Sequence, residues 1–476
     1  MSSTEINATA SETTREDIPL KSGTKQSKWY SCSDECLTGS KFINIAFGTL
    51  TVVITIALLI QIYYGDYQVV PHGSVATDSL DCSRIGTQIL KQGGNAIDAA
   101  IASTFCLAVA TPHLTGLDAE GQILIYNHRT RLLPNVIDFS STNVLSDRMP
   151  RLVLGLAYVH QQYGTLPWKK LIDPSAELAD NGYVVSRELA DVIIKSKAED
   201  LYGRLEPGQN LQHKLLSNTL RTIGNITEKE LYSYLDSAHQ PVQSQGIKSN
   251  FHNYDVYVPS LASIGPILLV NLREIEEFNF TKIDIQSNKA IVDSTLYVYQ
   301  EFNVNDKFHE GTSTSVAAMD LDENYVSLVT GMYNYFGSGE MTLHGYVLDV
   351  KNKTKPCSRI PIILTDSFYI CGKRMAFGAN GIAQASQIIS NLVIGGQNTT
   401  DGIEAPRFYV LPNGTVAIEE AHLPRFSADL IQYIKNIYGK VLTVPEPYYS
   451  SNIVEKSQDD LSSHSDSRGG GIASRF

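Results

Sequence analysis

The sequence predicts a layered α+β domain that follows a single membrane-spanning helix. Three observations lead to this fold class. The stretch Ile43–Tyr64 contains no Asp, Glu, Lys, Arg or His, and as a helix it would extend about 33 Å, enough to cross the roughly 30 Å hydrocarbon core of a bilayer. Beyond it, segments with strand character occur in pairs around short turns, and helical segments lie between these pairs. Hairpins mixed with helices indicate layers that bury a sizeable core.

The composition is that of a globular protein with an acidic surface. Of the 476 residues 43% are hydrophobic and 18% are charged, and the formal net charge is −12. A negative surface argues against nucleic acid as a partner and gives no attraction to anionic lipid. Glycine-rich nucleotide-binding loops and paired Cys-x-x-Cys motifs do not occur in the sequence, so we expect no cofactor.

The residues that flank the apolar stretch predict its orientation. Lysines precede it and aspartates follow it, and the positively charged flank of a membrane helix stays in the cytosol. We therefore expect a type II protein with a largely disordered cytosolic tail (1–42), a signal anchor in membrane lipid (43–64) and a luminal or extracellular ectodomain (65–476). A cleaved signal peptide is the alternative, but the apolar run is too long, lies too far from Met1 and lacks a small-residue cleavage site.

Sequons and cysteines agree with this orientation. N-glycosylation sequons follow the anchor at Asn225, Asn279, Asn352, Asn398 and Asn413. Two cysteines precede the anchor, Cys32 and Cys36, and we expect reduced thiols or palmitoylation there. The remaining cysteines face an oxidising compartment, where they can pair; they are Cys82, Cys106, Cys357 and Cys371.

The ectodomain begins with two predicted helices. Asp81 is a candidate N-cap for a helix over Cys82–Lys91, which a pair of glycines ends. Asn95 is a candidate cap for an alanine-rich helix that continues to about Val109. Small side chains allow close packing against neighbours, so we expect this second helix to be buried.

Strand pairs and further helices follow along the chain. Alternating apolar residues around turns predict three hairpins: Gln122–Tyr126 with Leu132–Phe139, Ser313–Met319 with Tyr325–Met332, and Ile360–Leu364 with Met375–Ala379. Two more helices are predicted over Ala157–Tyr163 and Lys169–Asp180. By composition alone, the Ser- and Gly-rich segment Ser462–Phe476 would be a disordered tail.

Motifs in the first two helices resemble the opening of a known family. Asp81-Cys-Ser-Arg-Ile-Gly, Gly93-Gly-Asn-Ala-Ile-Asp-Ala-Ala-Ile-Ala and Pro112-His-x-x-Gly occur in the order and at the spacing of the γ-glutamyltransferases, also called glutathione hydrolases. Further matches are Gly164-Thr-Leu-Pro-Trp, Asn334-Tyr-Phe-Gly-Ser, Gly378-Ala-Asn-Gly, Ile403-Glu-Ala-Pro-Arg and Ser465-Asp-Ser-Arg-Gly-Gly. The last of these resembles a family strand motif, which overrides the expectation of a disordered tail. The chain is shorter than standard members and most resembles the divergent vertebrate branch called glutathione hydrolase 6.

The resemblance implies a fold, a reaction and several residue roles. The fold is the four-layer αββα arrangement of the Ntn hydrolases. A precursor would cleave itself before Thr312 into a large chain (1–311) and a small chain (312–476), which stay together as a heterodimer, and the new threonine would be the nucleophile with its own amine as base. The reaction is attack on the γ-glutamyl amide of glutathione or its conjugates, with transfer to water, an amino acid or a dipeptide. Matching positions also imply a disulfide between Cys82 and Cys106.

The family's nucleophile motif, Thr-x-His-[Leu/Tyr]-Ser-Val, fits this sequence in two ways. If Ser315-Val316 matches its end without a gap, Gly311 takes the nucleophile position, whereas Thr312 takes it after a one-residue deletion. Strand side chains alternate between faces, so a one-residue shift turns Thr312 to the opposite face unless a β-bulge restores it. Thr312 is the candidate nucleophile and autocleavage site, and an ordinary strand threonine is the alternative.

The substrate clamp carries replacements. A γ-glutamyl group presents an α-carboxylate and an α-ammonium, so its site needs a cation and anions. The family's arginine aligns with Ser140 and its asparagine with Tyr333, while its acidic pair falls on Lys351 and Thr354. A lysine in place of a carboxylate would repel the ammonium.

Some candidate substrate-binding residues remain. Ser358 matches one member of the family's serine pair, and Gly381 matches one of its two oxyanion-hole glycines. Arg359 is a candidate replacement cation, and Asp118 or Glu120 a candidate anion. The alternative interpretation of these last three residues is that they are solvated surface charges.

Three functions are consistent with the sequence. The first is a membrane-bound glutathione hydrolase and γ-glutamyltransferase, which predicts two chains after processing. The second is a catalytically degenerate pseudoenzyme that binds a ligand or partner at the cell surface, which predicts one uncleaved chain. The third is an adhesion or scaffold module that uses its glycosylated outer surface. Family membership favours the first, and the replaced clamp favours the second.

Overall fold

The computed structural model describes residues 34–64, 72–140, 149–227, 230, 240–260, 263–351 and 353–476. Contacts divide the chain into two units, Met1–Gln68 and Val69–Phe476. Most of the predicted cytosolic tail and the sequon residue Asn352 lie outside the described residues.

The first unit contains one long helix, α1 (Asp34–Tyr64). Its segment Gly39–Tyr63 has a mean hydropathy of 2.4 and is the one helix among the described residues that is long and apolar enough to cross a membrane. Threonine hydroxyls inside this segment donate hydrogen bonds to carbonyl oxygens one turn earlier, so their polar atoms are satisfied within the helix; they belong to Thr49, Thr51 and Thr55.

The second unit mixes helices and strands. Its helices are α2 (Leu80–Lys91), α3 (Ala96–Ala110), α4 (Arg151–Tyr163), α5 (Trp168–Asn181), α6 (Arg187–Lys195), α7 (Glu199–Tyr202), α8 (Lys214–Asn225), α9 (Gly265–Glu276), α10 (Ile285–Glu301), α11 (Val304–Lys307), α12 (Gly381–Val393), α13 (Thr399–Glu404) and α14 (Ala428–Tyr438). Its strands are β1 (Ser74–Ala76), β2 (Glu120–Asn127), β3 (Asn135–Asp138), β4 (Tyr183–Val184), β5 (Asn210–Leu211), β6 (Val242–Gln245), β7 (Ile247–Phe251), β8 (Tyr254–Val258), β9 (Thr314–Met319), β10 (Asn324–Gly331), β11 (Arg359–Asp366), β12 (Arg374–Asn380), β13 (Phe408–Val410), β14 (Val416–Glu419), β15 (Leu442–Val444), β16 (Ile453–Ser457), β17 (Asp460–His464) and β18 (Ser474–Arg475).

Two large antiparallel sheets form the centre of this unit. Sheet 1 has the strand order β18-β1-β9-β10-β2-β3-β6, and sheet 2 has the order β17-β16-β12-β11-β8-β7. One buried cluster lies between sheet 1 and the helices around α3, a second between the sheets, and a third between sheet 2 and the helices around α12. Alternation along β9 explains how one strand serves two clusters, since Val316 and Ala318 belong to the first and Ala317 and Met319 to the second. The predicted α+β class and αββα order are confirmed.

Helix α3 is buried along almost its whole length, as its small residues predict. Asn95 and Asp98 form a reciprocal capping box, in which each side chain accepts a hydrogen bond from the other's backbone N–H, at 2.8 and 3.3 Å. A disulfide joins Cys106 of this helix to Cys82 of α2. The two helices are therefore held together covalently against sheet 1.

Two predicted helix starts are wrong. Helix α2 begins at Leu80 after Ser79, so Asp81 lies in the first turn, where a carboxylate favours the positive end of the helix dipole, and is not the N-cap. Helix α4 begins at Arg151 instead of Ala157. The turns before Ala157 are buried as well, so the buried face of the helix is longer than the segment that the sequence pattern predicted.

The Ser- and Gly-rich C-terminal segment is ordered. It contributes β17 to the edge of sheet 2 and β18 to the edge of sheet 1. Between them, the fully buried Asp466 accepts hydrogen bonds from Arg407 Nη2 at 2.8 Å and from the backbone N–H of Ser451 at 2.9 Å. These partners are distant in sequence, which is why composition alone wrongly suggested a disordered tail.

Candidate active site

Strands β9 and β10 bring Thr312 to the start of the central hairpin. The two strands pair without interruption from Met319 back to Thr314. The backbone N–H of Thr312 then donates to the Met332 carbonyl at 3.0 Å, which continues the same register with no extra residue on either strand. The bulge that would restore the family's side-chain orientation is therefore absent, and Thr312 shares a face with Val316, towards the helices around α3.

The polar groups of Thr312 all have partners inside the protein. Its hydroxyl donates to the Leu114 carbonyl oxygen at 2.5 Å and accepts from the Met332 N–H at 2.9 Å. Its carbonyl oxygen accepts a hydrogen bond from Arg359. The preceding Gly311 has a φ of +63°, and a Cβ there would lie 2.9 Å from the Cys357 sulfur. Thr312 thus forms the last pair of the hairpin, at the end away from the β9–β10 turn, and it is 2% exposed.

Arg359 is an internal cation. It begins β11 in sheet 2, and its Nη2 forms an ion pair with Glu120, which begins β2 in sheet 1. Its Nη1 donates to the carbonyl oxygens of Thr312 and, at 3.2 Å, Met332. Both charged residues are at most 4% exposed, so their interpretation as solvated surface charges is wrong. A substrate-binding role for Arg359 stays a prediction, and it would require the guanidinium to leave Glu120.

Lysine and further acidic residues complete a buried charge cluster. Lys353 forms an ion pair with Glu120 and another, at 2.7 Å, with Asp349, which is 1% exposed. Arg151 Nη1 lies 3.7 Å from Glu120. Burial by itself would raise the pKa of Glu120, but the charges of Arg359 and Lys353 outweigh it and hold that pKa below its usual value. The chain's own cations therefore satisfy its own carboxylates.

Asp118, the other candidate anion, belongs to the same region. Its carboxylate accepts hydrogen bonds from the backbone N–H groups of Asp349 at 3.0 Å and Arg151 at 3.3 Å. Burial raises its pKa despite the nearby Arg151 charge. Asp118 thus positions the backbone around the cluster, so it too is no solvated surface charge.

The remaining clamp positions have local partners. Tyr333 stacks on His309 with ring centroids 3.9 Å apart, and its hydroxyl lies 3.3 Å from the Thr354 hydroxyl. The Ser140 N–H donates to Asp138 at 2.8 Å. The Lys351 side chain is exposed. Sequence reasoning missed the half-buried Lys353 two residues later, because nothing in that run of lysines distinguishes the one that meets distant carboxylates.

A small cavity lies beside Ser358 and Gly381. Tyr299, Asn380 and Tyr449 also line it, and its volume of about 30 Å³ has room for one or two water molecules. The Ser358 hydroxyl donates to the side-chain oxygen of Asn380 at 2.9 Å. A γ-glutamyl group is much larger than this space.

Groups of the chain itself lie at the backbone N–H groups that begin α12. The Gly381 N–H donates to the Ser358 carbonyl oxygen at 2.9 Å. The Tyr299 hydroxyl lies beside Gly381, 3.3 Å from where a Cβ on that glycine would be. Burial raises the pKa of this tyrosine, and the nearby Ala383 and Ile382 N–H groups oppose the rise only in part. The resemblance assigns an oxyanion hole to this place, and no sequence signal pointed to Tyr299 as its occupant.

Comparison with known proteins gives several relatives that are named as glutathione hydrolases. A family model described as gamma-glutamyltranspeptidase matches residues 82–234. The chain is 24% identical to glutathione hydrolase 7 of Bos taurus, over 82% of this chain and 78% of that protein, and 24% identical to the Homo sapiens protein, over 80% and 75%. It is 27% identical to the glutathione hydrolase proenzyme of Bacillus subtilis, over 47% and 48%. The expected placement in the glutathione hydrolase 6 branch stays a prediction.

Among solved structures, the chain is similar to a cephalosporin acylase from Bacillus halodurans. The TM-score is 0.68 at 19% sequence identity, and the match covers 85% of this chain and 96% of the acylase. At this identity the likeness concerns the fold, which is the Ntn-hydrolase fold.

Proposed function

This chain belongs to the γ-glutamyltranspeptidase family, and we propose that it is anchored in a membrane, stays one chain and acts as a pseudoenzyme, that is, as a binding or scaffold protein at the cell surface. The register of Thr312 is the observation that carries this proposal. An Ntn nucleophile needs a hydroxyl that faces the substrate and a free α-amine as base. Thr312 instead has a hydroxyl turned towards the helices around α3, where it donates a hydrogen bond to the Leu114 carbonyl oxygen.

The buried charges support the same proposal. A γ-glutamyl substrate brings one negative and one positive group, and an unoccupied clamp would leave complementary charges unpaired. Here Glu120 binds Arg359 and Lys353 within the protein. Removing one partner of such a buried pair is costly, so the native protein has little tendency to release either cation to a ligand.

Glutathione hydrolysis by an autoprocessed Thr312 is the second candidate, and one contact favours it. The Tyr449 hydroxyl donates to the Gly311 carbonyl oxygen at 3.1 Å, which polarises the peptide that processing would cleave. The relatives named as glutathione hydrolases support this candidate as well. Substrates would be glutathione and other γ-glutamyl compounds, with amino acid or dipeptide acceptors. The active form would be a heterodimer of 1–311 and 312–476.

Membrane anchoring through α1, with the second unit outside the cytosol, is part of both candidates. The lysines before the apolar segment support this orientation. The sequon asparagines among the described residues are exposed, as glycan attachment requires; they are Asn225, Asn279, Asn398 and Asn413.

The deciding experiment is a denaturing gel of the full-length protein after enzymatic removal of glycans, beside two variants. We expect a single intact chain for the native protein, for Thr312→Ala and for the matched control Ser313→Ala, together with no hydrolysis of a chromogenic γ-glutamyl anilide. A fragment covering residues 312–476 that disappears only in Thr312→Ala would refute the pseudoenzyme proposal and establish processing. Release of the chromophore by that cleaved protein would then establish the hydrolase.

A further inference from the structure

One end of the two sheets exposes apolar side chains on its turns. The β11–β12 turn, residues 367–373, carries Phe368, Tyr369 and Ile370, which are 73%, 73% and 65% exposed. Leu321 in the β9–β10 turn is 59% exposed, and Leu132 in the β2–β3 turn is 71% exposed. Turn residues are usually small or polar, so this composition is unusual. We call these five residues the hairpin-tip surface.

Hydrogen bonds hold the three turns together. His128 Nε2 lies 2.7 Å from the Ile370 carbonyl oxygen, which ties the β2–β3 turn to the β11–β12 turn. Arg129 Nη2 donates to the Leu321 carbonyl oxygen at 2.9 Å, which ties it to the β9–β10 turn. The surface therefore spans the ends of both sheets.

The turn that carries the aromatic residues is itself well ordered. The Asp366 carboxylate accepts hydrogen bonds from the N–H groups of Phe368 and Tyr369, both at 2.8 Å. The Gly372 N–H donates to the Tyr369 carbonyl oxygen at 3.0 Å. Because the backbone is fixed in this way, the exposed side chains are presented to a partner with little further ordering cost.

The chain enters sheet 1 at the end that carries the hairpin-tip surface. Strand β1 is antiparallel to β9 with Ser74 opposite Met319, so β1 begins beside the β9–β10 turn. Residues 65–73, which separate α1 from this strand, reach at most about 30 Å when fully extended. This tether is short enough to let the end of the sheets that carries the hairpin-tip surface reach the membrane that α1 would cross.

We propose that the hairpin-tip surface inserts into the interfacial layer of this lipid bilayer. The inference rests on the membrane anchoring in the proposed function and adds a second contact with lipid. Phe, Tyr and Ile suit this layer, since aromatic rings accumulate at membrane interfaces and apolar area stabilises shallow insertion. The adjacent charges Arg129 and Asp322 pair at 3.1 Å, and the chain's formal net charge is −12. We therefore expect insertion to depend on apolar contact and to need no anionic lipid.

The native thiol of Cys371 reports on this surface. It is an exposed free cysteine in the same turn, whereas burial raises the pKa of Cys357 to about 12 and makes that thiol unreactive at neutral pH. In a Cys32→Ser, Cys36→Ser background, a bimane label on Cys371 of the full-length protein is placed in phosphatidylcholine nanodiscs that contain lipids with a nitroxide on the acyl chain. The control label is at Leu343→Cys with Cys371→Ser, because Leu343 is 94% exposed and lies beyond the opposite end of β10.

We expect lipid quenching at Cys371 at least about twofold stronger than at the control position, as insertion requires. It should fall to the control level when Phe368 and Ile370 are changed to Asp. Equal quenching at both positions in a protein that resists alkaline extraction would refute docking while leaving the anchor intact. Alkaline extraction of the protein would refute the anchor itself. Disulfide cross-linking of Cys371 between two copies, without lipid quenching, would also overturn the proposal and assign the surface to a homodimer.

Discussion

Removal of the Arg359 guanidinium should reveal how much of the fold depends on the buried charge cluster. The variant Arg359→Met keeps much of the side-chain volume and removes the positive charge. It leaves Glu120 with less compensation and takes a donor from the Thr312 carbonyl oxygen. Breaking a buried ion pair by removing one partner costs about 3–5 kcal/mol, and loss of a hydrogen bond to a buried carbonyl costs about 1–3 kcal/mol.

Lys353 remains beside Glu120 in this variant and offsets part of the loss. We therefore expect Arg359→Met to lower the free energy of unfolding by about 4 kcal/mol. In Glu120→Gln with Arg359→Met, neither a carboxylate nor a guanidinium is left unpaired between these positions. The double variant should lose less than the sum of the single variants, with a coupling of at least about 2 kcal/mol.

Urea unfolding of the full-length protein in detergent measures these values. Trp168 is a suitable fluorescent probe, because it is buried with its ring 5.5 Å from Phe105, and Trp29 can be changed to Phe. The matched control is Arg129→Met, which breaks an exposed pair with Asp322 and should change stability by less than about 1 kcal/mol. If Arg359→Met costs no more than this control, the guanidinium is not held inside the native protein, and the argument against a substrate-binding role fails.

Two carboxylates and the disulfide provide further tests. Burial raises the pKa of Asp78 from 3.8 to about 6. Between pH 3.8 and about pH 6 the folded state therefore holds a proton that the unfolded state has lost. The free energy of unfolding should fall by up to about 3 kcal/mol as the pH rises through this interval. Urea midpoints of Asp78→Asn should lack this dependence. Burial would raise the pKa of Glu404, but hydrogen bonds from a histidine and a serine lower it to about 2. The ionised carboxylate should therefore add about 1–2 kcal/mol to the free energy of unfolding after solvent screening, at pH values above 4.5, and this contribution should be lost on acidification. The variant Glu404→Gln should lack the contribution at every pH. Replacing Cys82 and Cys106 by Ala opens a loop closed across 24 residues and should cost about 3 kcal/mol in the same assay, whereas no change would mean that the two thiols are unpaired.

Local patterns predicted the elements whose interactions are local. The N-cap at Asn95, the small residues of α3 and the alternation on β9 and β10 depend on neighbours a few residues apart. The same alternation predicted that a one-residue shift would turn Thr312 to the opposite face, and the hairpin register has no bulge at this position. The role of Thr312 as nucleophile stays a prediction.

The parts that sequence reasoning missed depend on distant partners. Glu120 and Arg359 are 239 residues apart, and nothing near either residue indicates that two sheets bring them together. In the same way, Tyr299 lies on α10, and only the packed fold places its hydroxyl at the start of α12. Such residues look like ordinary surface charges or core aromatics until the layers are assembled.

The position of β1 in sheet 1 has a consequence for biosynthesis. This strand lies between β9 and β18, and Val75 pairs with Ser474. At translation rates of about 5–20 residues per second, the first strand waits roughly 20–80 s for its last neighbour to be made. During that time sheet 1 has an open edge next to β1, which invites wrong pairing. We therefore expect a nascent chain that depends on chaperones until synthesis is complete, and truncations near β18 that are retained and degraded even though they leave the charge cluster unchanged.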